Sequence, residues 1–248
     1  MTIFDKVDQL SGHAPESAEE ARQQVVAVCR ILARFGQEDL TLGHVSVRGP
    51  VANEIYIKAK GKALGDVTPN DVMMLNLNDP DCHLALGAHL EAVMHTEAYR
   101  ARPEVGAAIH THALYATALG ATTTPLAFLS HDAALFSDGV GLFDATVGMV
   151  TTIVDGLAVA KALGGRRAVL LRNHGMFAVG EDIRWAVLAA VTLERAVRVQ
   201  TIASSLGNFV PIPDHQLKGI NQEKYRDGFL DEYWESWIRS LATPEYHE

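Results

Sequence analysis

The sequence predicts one α/β domain, because segments with helical periodicity and segments with strand-like alternation follow one another along the chain. Its 248 residues suffice for a single large domain with a substantial core. Hydrophobic residues make up 48% of the chain and charged residues 21%, which is ordinary for a globular protein. With no repeat or linker in the sequence, we expect a single domain over residues 1–248, with an N-terminal arm at 1–15 and a C-terminal aromatic tail at 207–248.

Helices are predicted where apolar residues recur every three or four positions. The first begins after Ser17, which with Glu20 has the spacing of a capping box, and ends near Gly36. We assign its apolar stripe to core packing. Further helices are predicted over residues 90–100, 113–119, 155–163 and 183–205.

Strands are predicted where apolar and polar residues alternate, or where a short apolar run ends at a turn. Val45 and Val47 alternate with polar neighbours, and the following alternation at 53–59 predicts the other half of a hairpin. The remaining predicted strands lie at residues 71–77, 105–109, 126–129 and 168–171.

Composition excludes several classes of protein. The formal net charge of −9 argues against non-specific nucleic-acid binding. The two cysteines, Cys29 and Cys82, form neither a disulfide framework nor a cysteine zinc site. The N-terminus lacks a signal pattern and no apolar run reaches membrane length, so we expect a soluble cytoplasmic protein.

Two histidines at the end of the strand predicted at 105–109 form the first candidate site. Side chains at positions i and i+2 of a strand point to the same face, so His110 and His112 can direct two imidazoles at one metal ion. A single His-x-His also arises easily by chance among 11 histidines. His174, just after the apolar strand at 168–171, and Glu91, on a helical segment, strengthen the metal hypothesis. Three imidazoles leave a coordination position open, and a carboxylate nearby can act as base or fourth ligand.

Three other features allow a structural and a functional interpretation. Lys58, Lys60 and Lys62 indicate either a solvated loop or, at Lys60-Gly61, a substrate loop. His131 is either a core histidine or an acid–base group. The aromatic tail is expected to dock, either on its own core or on a neighbouring subunit.

The sequence resembles the class II aldolase/adducin family from about Ala18 to Leu206. Three motifs carry the resemblance: Gly43-His44-Val45-Ser46-Val47-Arg48, the segment from Glu91 to His110-Thr111-His112, and Asn173-His174-Gly175. The resemblance implies a three-layer αβα sandwich around a mostly antiparallel central sheet. It also implies a homotetramer with active sites at subunit interfaces. Adducin-type members of the family show that the fold can persist without catalysis.

The same resemblance assigns roles to the candidate residues. It implies a divalent metal ion, zinc or manganese, on His110, His112 and His174. It places Glu91 beside that ion as an acid–base carboxylate, which can also ligate the metal when substrate is absent.

The sequence departs from the sugar-phosphate members of the family. Where those members carry an asparagine, a Thr-Gly and a Ser-Ser that hold the substrate phosphate, this chain has His44, Lys60-Gly61 and His89-Leu90. Since phosphate requires several directed donors, a carboxylate or a phenolic oxygen fits these residues better. We therefore predict substrate binding by His44, Lys60, Gly61 and the neighbouring Gly43.

The identity of the second acid–base group stays open. In the fuculose-phosphate aldolase of this family, a tyrosine serves as the acid, and that tyrosine aligns with Leu129 of this sequence. His131, Tyr225 and Tyr233 are therefore the candidates for this role. The leading hypothesis is a metal-dependent lyase, a decarboxylase of a hydroxylated or aromatic carboxylic acid acting on a small molecule. The alternatives are a class II aldolase cleaving a hydroxy-keto or sugar substrate, and a non-catalytic adducin-like interaction module.

Overall fold

A central sheet of seven strands organises the chain, in a computed structural model that describes residues 10–242. The strand order is β3-β2-β1-β4-β7-β6-β5, and every neighbouring pair is antiparallel except the parallel pair β5–β6. The expectation of a mostly antiparallel sheet is confirmed. The strands are β1 His44–Arg48, β2 Glu54–Lys58, β3 Val72–Asn76, β4 Ala107–Thr111, β5 Gly141–Phe143, β6 Ala168–Leu171 and β7 Gly175–Gly180.

Helices cover both faces of this sheet. The helices are α1 Ala18–Arg34, α2 Ala92–Ala101, α3 Leu114–Gly120, α4 Ile153–Leu163, α5 Ile183–Leu206, α6 Asp214–Lys224 and α7 Asp227–Leu241. One apolar core joins α1, α3, α5 and α7 to one face of the sheet, and a second joins α2 and α4 to the other face. The expected three-layer αβα sandwich is therefore confirmed.

Strand alternation divides the side chains of the central strands between the two cores. In β1, Val45 and Val47 enter the core of α1 and α5, so His44 and Ser46 face α2. In β4, Ile109 enters the first core, while Ala108 enters the second. The polar positions of β1 are consequently buried under α2 instead of facing solvent, because the sheet is covered on both sides.

Most predicted elements are present, with shifts of one or two residues at their ends. Ser17 caps α1 by accepting the Glu20 N–H at 3.1 Å, but the Glu20 carboxylate accepts from Glu16 N–H rather than closing a box with Ser17.

The strand predicted at 126–129 is wrong. Its backbone groups pair elsewhere: the Ala127 N–H donates to Gln200 Oε1 at 2.7 Å, and the Phe128 carbonyl accepts from the Ile212 N–H at 2.7 Å. These bonds to α5 and to the segment before α6 hold the stretch extended without a strand partner. β5 and β7 were not predicted, since β5 has three residues and β7 carries glycine at both ends.

The aromatic tail docks on its own core. Leu230, Trp234 and Ile238 of α7 are buried with α1 and α5, and the Trp234 indole donates to the Leu10 carbonyl at 2.7 Å. Within residues 10–242, no helix combines the length and the apolarity needed to cross a membrane.

Candidate metal centre and substrate site

Three histidines and one glutamate converge at one end of the sheet. His110 is the penultimate residue of β4, and His112 directly follows that strand. His174 lies in the turn between β6 and β7, and Glu91 immediately precedes α2. Each residue offers a ligand atom that lies within 4.8 Å of those of the other three. The three imidazole centroids are 5.0–5.1 Å apart. This spacing is suitable for a single divalent cation between them.

Hydrogen bonds orient two of the imidazoles toward that centre. His110 Nδ1 donates to the Met176 carbonyl at 2.9 Å, and His112 Nδ1 donates to the Asp39 carboxylate at 2.8 Å. Each ring therefore carries its proton on Nδ1 and a free lone pair on Nε2. Both Nε2 atoms are buried and have no hydrogen-bond partner among the described residues. A buried acceptor without a partner is costly, so these residues fit a metal ion that accepts both lone pairs.

The third histidine depends on a tight turn between β6 and β7. Asn173 has a positive φ of 55°, and the His174 N–H donates back to the Leu171 carbonyl at 3.1 Å. A Cβ at Gly175 would lie 2.5 Å from the Thr111 carbonyl oxygen. Only glycine allows the turn to approach β4 this closely, and that approach brings His174 to His110 and His112.

The Glu91 carboxylate is held between the histidines and the backbone. Its Oε1 accepts the Val150 N–H at 2.8 Å and lies 3.5 Å from His174 Nε2, while its Oε2 lies 3.7 Å from His110 Nε2. Burial by itself raises the pKa of Glu91. The hydrogen bond with His174 and the Val150 N–H outweigh burial and lower this pKa to about 2, so Glu91 is ionised.

His44 lies beside the metal centre and is neutral. Its ring centroid is 4.8 Å from that of His110 and 4.1 Å from that of His89. Burial lowers the pKa of His44 well below its ordinary value, and lowers the pKa of His89 to about 4. Ring nitrogens of His44 and His89 lie within 4.8 Å of a Glu91 oxygen. The predicted substrate residue His44 therefore reaches the site, as an uncharged group.

The glycine-containing loops border the same end of the sheet. Gly43 precedes β1 with a positive φ of 78°. Lys60 and Gly61 follow β2 in an exposed loop, and the Lys60 N–H donates to the Gly87 carbonyl at 3.0 Å. This bond connects the lysine loop to the segment that leads into His89.

One lysine differs from the expectation of a solvated loop. Lys58 is fully buried, and its Nζ donates to the carbonyls of Thr41 at 3.1 Å and Ala59 at 3.4 Å. Burial lowers the pKa of Lys58 from its ordinary value. Lys60 and Lys62 do face solvent, so the expectation holds for those two side chains alone.

The three candidates for a second acid–base group lie apart from Glu91 in this chain. The Tyr225 hydroxyl donates to the carbonyl of His131 at 3.3 Å, and the His131 side chain is exposed. Tyr225 and Tyr233 pack with the core of α1 and α5, across the sheet from α2. Over residues 10–242, none of the three forms a hydrogen bond or ion pair with Glu91 or the histidines around it. Their acid–base roles stay predictions.

Comparison with known proteins identifies the family. The sequence model described as "Class II Aldolase and Adducin N-terminal domain" matches residues 23–201, most of the chain. The chain belongs to the class II aldolase and adducin family. The expected family resemblance is thereby confirmed, and the fold agrees with that of solved members.

Two curated relatives and one solved structure show the range of this family. The chain is 39% identical over 130 residues to a 4-hydroxy-3-prenylphenylpyruvate oxygenase/4-hydroxy-3-prenylbenzoate synthase of Streptomyces roseochromogenus subsp. oscitans, an alignment that spans 52% of this chain and 47% of that protein. It is 38% identical over 190 residues to Decarboxylase NovR of Streptomyces niveus, across 74% of this chain and 70% of that protein. An L-fuculose 1-phosphate aldolase from Glaciozyma antarctica PI12 shares 25% identity, with a TM-score of 0.77 over 100% of both chains.

The chain is thus an enzyme, a class II aldolase-type lyase, with a cluster that can hold a divalent metal ion. Sequence reasoning gave no role to two residues near this cluster: Asp39, which binds His112, and His95, which binds His44. Asp39 lies in a turn after α1, where no periodicity singles it out. His95 stands four positions after Glu91 and thus on the same side of α2, a signal that the sequence did contain.

Proposed function

We propose that this enzyme is a divalent-metal-dependent decarboxylase of a hydroxylated or aromatic carboxylic acid, with zinc or manganese as the metal. The observation that carries the proposal is the pair of buried, neutral imidazoles, His44 and His89, beside Glu91 and the metal ligands. Neutral N–H groups suit a carboxylate or phenolic oxygen, and they provide less charge than a phosphate dianion requires.

His110 and His112 would hold the metal through Nε2 atoms that are buried and have no other partner among the described residues, and His174 would be the third ligand. A divalent cation there supplies Lewis acidity, which stabilises negative charge on the oxygens of a substrate as a carbon–carbon bond breaks. Asp39 holds the ring of His112 in place through the 2.8 Å bond to Nδ1.

Glu91 is proposed to move a proton to or from the reacting carbon or hydroxyl. Its carboxylate is ionised and held by the Val150 N–H, so one oxygen is fixed while the other faces His110. The ionised carboxylate would first accept the proton of a substrate hydroxyl, and it would then deliver that proton to the carbon from which carbon dioxide is lost.

The rim of the site supports an aromatic substrate. Leu90 precedes Glu91 and is 57% exposed, and Met149 precedes Val150 and is 51% exposed. Leu90 adjoins Glu91, and Met149 adjoins Val150, whose N–H binds the Glu91 carboxylate, so we propose that both side chains border the reacting groups. An aromatic ring would bury this surface, whereas a sugar phosphate would leave it in water. Lys60, Gly61 and Gly43 are proposed to contact the anionic end of the substrate.

The activity test is release of carbon dioxide. The zinc- and manganese-loaded enzymes would be incubated with hydroxybenzoates and hydroxyphenyl keto acids, with and without molecular oxygen. We expect carbon dioxide release that does not depend on oxygen. Oxygen-dependent release would indicate an oxygenase, as the name of one relative states, and would contradict the lyase proposal.

The second candidate is a class II aldolase, favoured by the similarity over the full chain to an L-fuculose 1-phosphate aldolase. It would release an aldehyde from a hydroxy-keto substrate and no carbon dioxide. An enzyme that remained inert toward acids and hydroxy-ketones after metal loading would favour the third interpretation, a non-catalytic adducin-like interaction module.

We also propose a cytoplasmic homotetramer with active sites at subunit interfaces. His131, Tyr225 and Tyr233 do not contact Glu91 of their own chain, so a neighbouring subunit would have to bring any of them to it. Leu114 and Ile202 are exposed beside a cavity of about 690 Å³ between α3 and α5, which offers apolar surface for such a contact. Light scattering is expected to report about four times the chain mass of 26.9 kDa. A monomer in solution would remove the interface site.

A further inference from the structure

A buried chain of hydrogen bonds leads from the interior to His44. In β1, positions 44 and 46 face α2, where positions 95 and 99 lie one helical turn apart. The two rows meet: His44 Nδ1 lies 2.7 Å from His95 Nε2, His95 Nδ1 lies 2.6 Å from Ser46 Oγ, and Ser46 Oγ lies 2.9 Å from the Tyr99 hydroxyl. All four residues are at most 1% exposed.

The Tyr99 end of the hydrogen-bond chain determines the direction in which each of its protons points. Ser46 Oγ is the one acceptor that reaches the Tyr99 hydroxyl within residues 10–242. The Tyr99 proton must therefore point at Ser46, and burial, which raises the pKa of Tyr99, keeps it in place.

Each following bond then has one possible donor. Since Ser46 accepts from Tyr99, its own O–H donates to His95 Nδ1. Burial lowers the pKa of His95 to about 3, so the ring is neutral and carries its single proton on Nε2. That proton goes to His44 Nδ1, and the proton of neutral His44 must be on Nε2. The opposite direction would leave the buried Tyr99 hydroxyl without an acceptor, which proteins avoid.

The His44 end of the hydrogen-bond chain lies at the candidate metal centre and substrate site. His44 Nε2 is buried and has no partner in the described part of the chain. It lies in the group formed with His89 and Glu91, and its ring packs on that of the metal ligand His110. The four residues that form this hydrogen-bond chain are polar, and all four lie in elements that also carry the apolar cores. An unpaired N–H at the end of such a chain is placed to meet a ligand atom.

We propose that His44 presents a fixed Nε2–H to an oxygen of the substrate, and that His95, Ser46 and Tyr99 are positioning residues which hold His44 in this tautomer. The substrate oxygen is an acceptor, a carboxylate or phenolate oxygen, because the proton on Nε2 leaves no lone pair for a hydroxyl donor or a second metal ion. This inference deepens the proposed function and names the group that selects its substrate.

A matched pair of variants tests the inference. Ser46→Thr keeps the hydroxyl and Ser46→Val replaces it with a methyl group of nearly the same shape. The zinc-loaded proteins, labelled with 15N in histidine, would be compared by long-range 1H–15N correlation, which separates the Nε2–H and Nδ1–H forms of a neutral ring. We expect His44 to be Nε2–H in the wild type and in Ser46→Thr, and to contain a measurable share of the Nδ1–H form in Ser46→Val.

Tyr99→Phe provides a second route if branched side chains at position 46 disturb the strand. It removes only the oxygen that directs the chain, and is expected to shift His44 in the same direction as Ser46→Val. An Nδ1–H form of His44 in the wild type would overturn the proposal. Identical His44 spectra in the wild type, Ser46→Val and Tyr99→Phe would also overturn it, as would zinc bound at His44 Nε2.

Kinetics supply a separate measurement. Loss of one hydrogen bond to the substrate should raise KM by about 10-fold in Ser46→Val, with a smaller change in kcat and recovery of most of the loss in Ser46→Thr. The tautomer measurement needs no substrate. If no acid were decarboxylated, the proposed function would fail while the assignment of His44 could still be confirmed or refuted.

Discussion

Replacing His110 by Ala is expected to remove both the metal and the activity while the fold remains. His110 Nε2, like His112 Nε2, is a buried nitrogen atom without a hydrogen-bond partner among residues 10–242, and its loss leaves two imidazoles and one carboxylate in the cluster. The lost bond from Nδ1 to the Met176 carbonyl lies at the end of β4, so the sheet pairing of β4 with β1 and β7 should persist. Metal analysis of the purified protein, with circular dichroism as the check on folding, measures both expectations.

Two further variants provide a control and a case in which a partial loss of metal affinity is expected. His215→Ala changes a histidine at an exposed position of α6 and should alter neither metal content nor turnover. Asp39→Asn weakens only the hydrogen bond that orients His112, and should lower metal affinity by roughly 10–100-fold. The metal site is misplaced if His110→Ala and the corresponding His112→Ala retain stoichiometric metal and normal turnover.

The proximity of two candidate metal ligands could be predicted from sequence, because it depends on local strand geometry. A two-residue spacing on a strand forces His110 and His112 onto one face whatever the rest of the fold does. The position of His174 beside these two histidines could not be inferred from local geometry. It depends on the pairing of β4 with β7 and on the close approach at Gly175, which no single-chain pattern contains and which the family resemblance supplied.

The polar face of β1 shows the limit of pattern reasoning. Alternation at positions 44 to 48 predicted a strand, and that is confirmed. The same alternation is typical of a strand with one face in water, yet His44 and Ser46 are fully buried. Whether that face of β1 contacts water or a helix depends on the layer that packs against the sheet, which the alternation does not reveal. The bonds of His95 to both residues, and thus the chain that ends at His44, could be found only in the folded molecule.

Any contribution from a neighbouring subunit, as proposed above, is beyond sequence prediction for a similar reason. His131 and Tyr225 were selected by residue type and by alignment, and in the folded chain they contact each other through a backbone carbonyl. A residue that completes a site from a neighbouring subunit leaves no mark in the periodicity of its own segment. The density of aromatic residues in the C-terminal tail predicted docking. The hydrogen bond from Trp234 to Leu10 and the packing on α1 could be seen only in the folded molecule.

Glu91→Gln is expected to slow turnover by roughly 10²–10⁴-fold, the usual contribution of a general acid–base group, while metal stays bound. Glutamine is nearly isosteric, and its amide oxygen can still accept the Val150 N–H at the position of Oε1. The three imidazoles remain, so the cation keeps its nitrogen ligands, but no group at this position can then take up and release a proton.

The matched control for that variant is Glu235→Gln, the same chemical change on the exposed face of α7, which should leave the rate unaltered. Metal analysis on both variants separates a chemical defect from a loss of metal. A rate near that of the wild type in Glu91→Gln, with metal present, would remove Glu91 from the chemistry and transfer the proton-transfer step to another group. The ionised state of Glu91 would then serve only to balance the charge of the cation, as a fourth ligand.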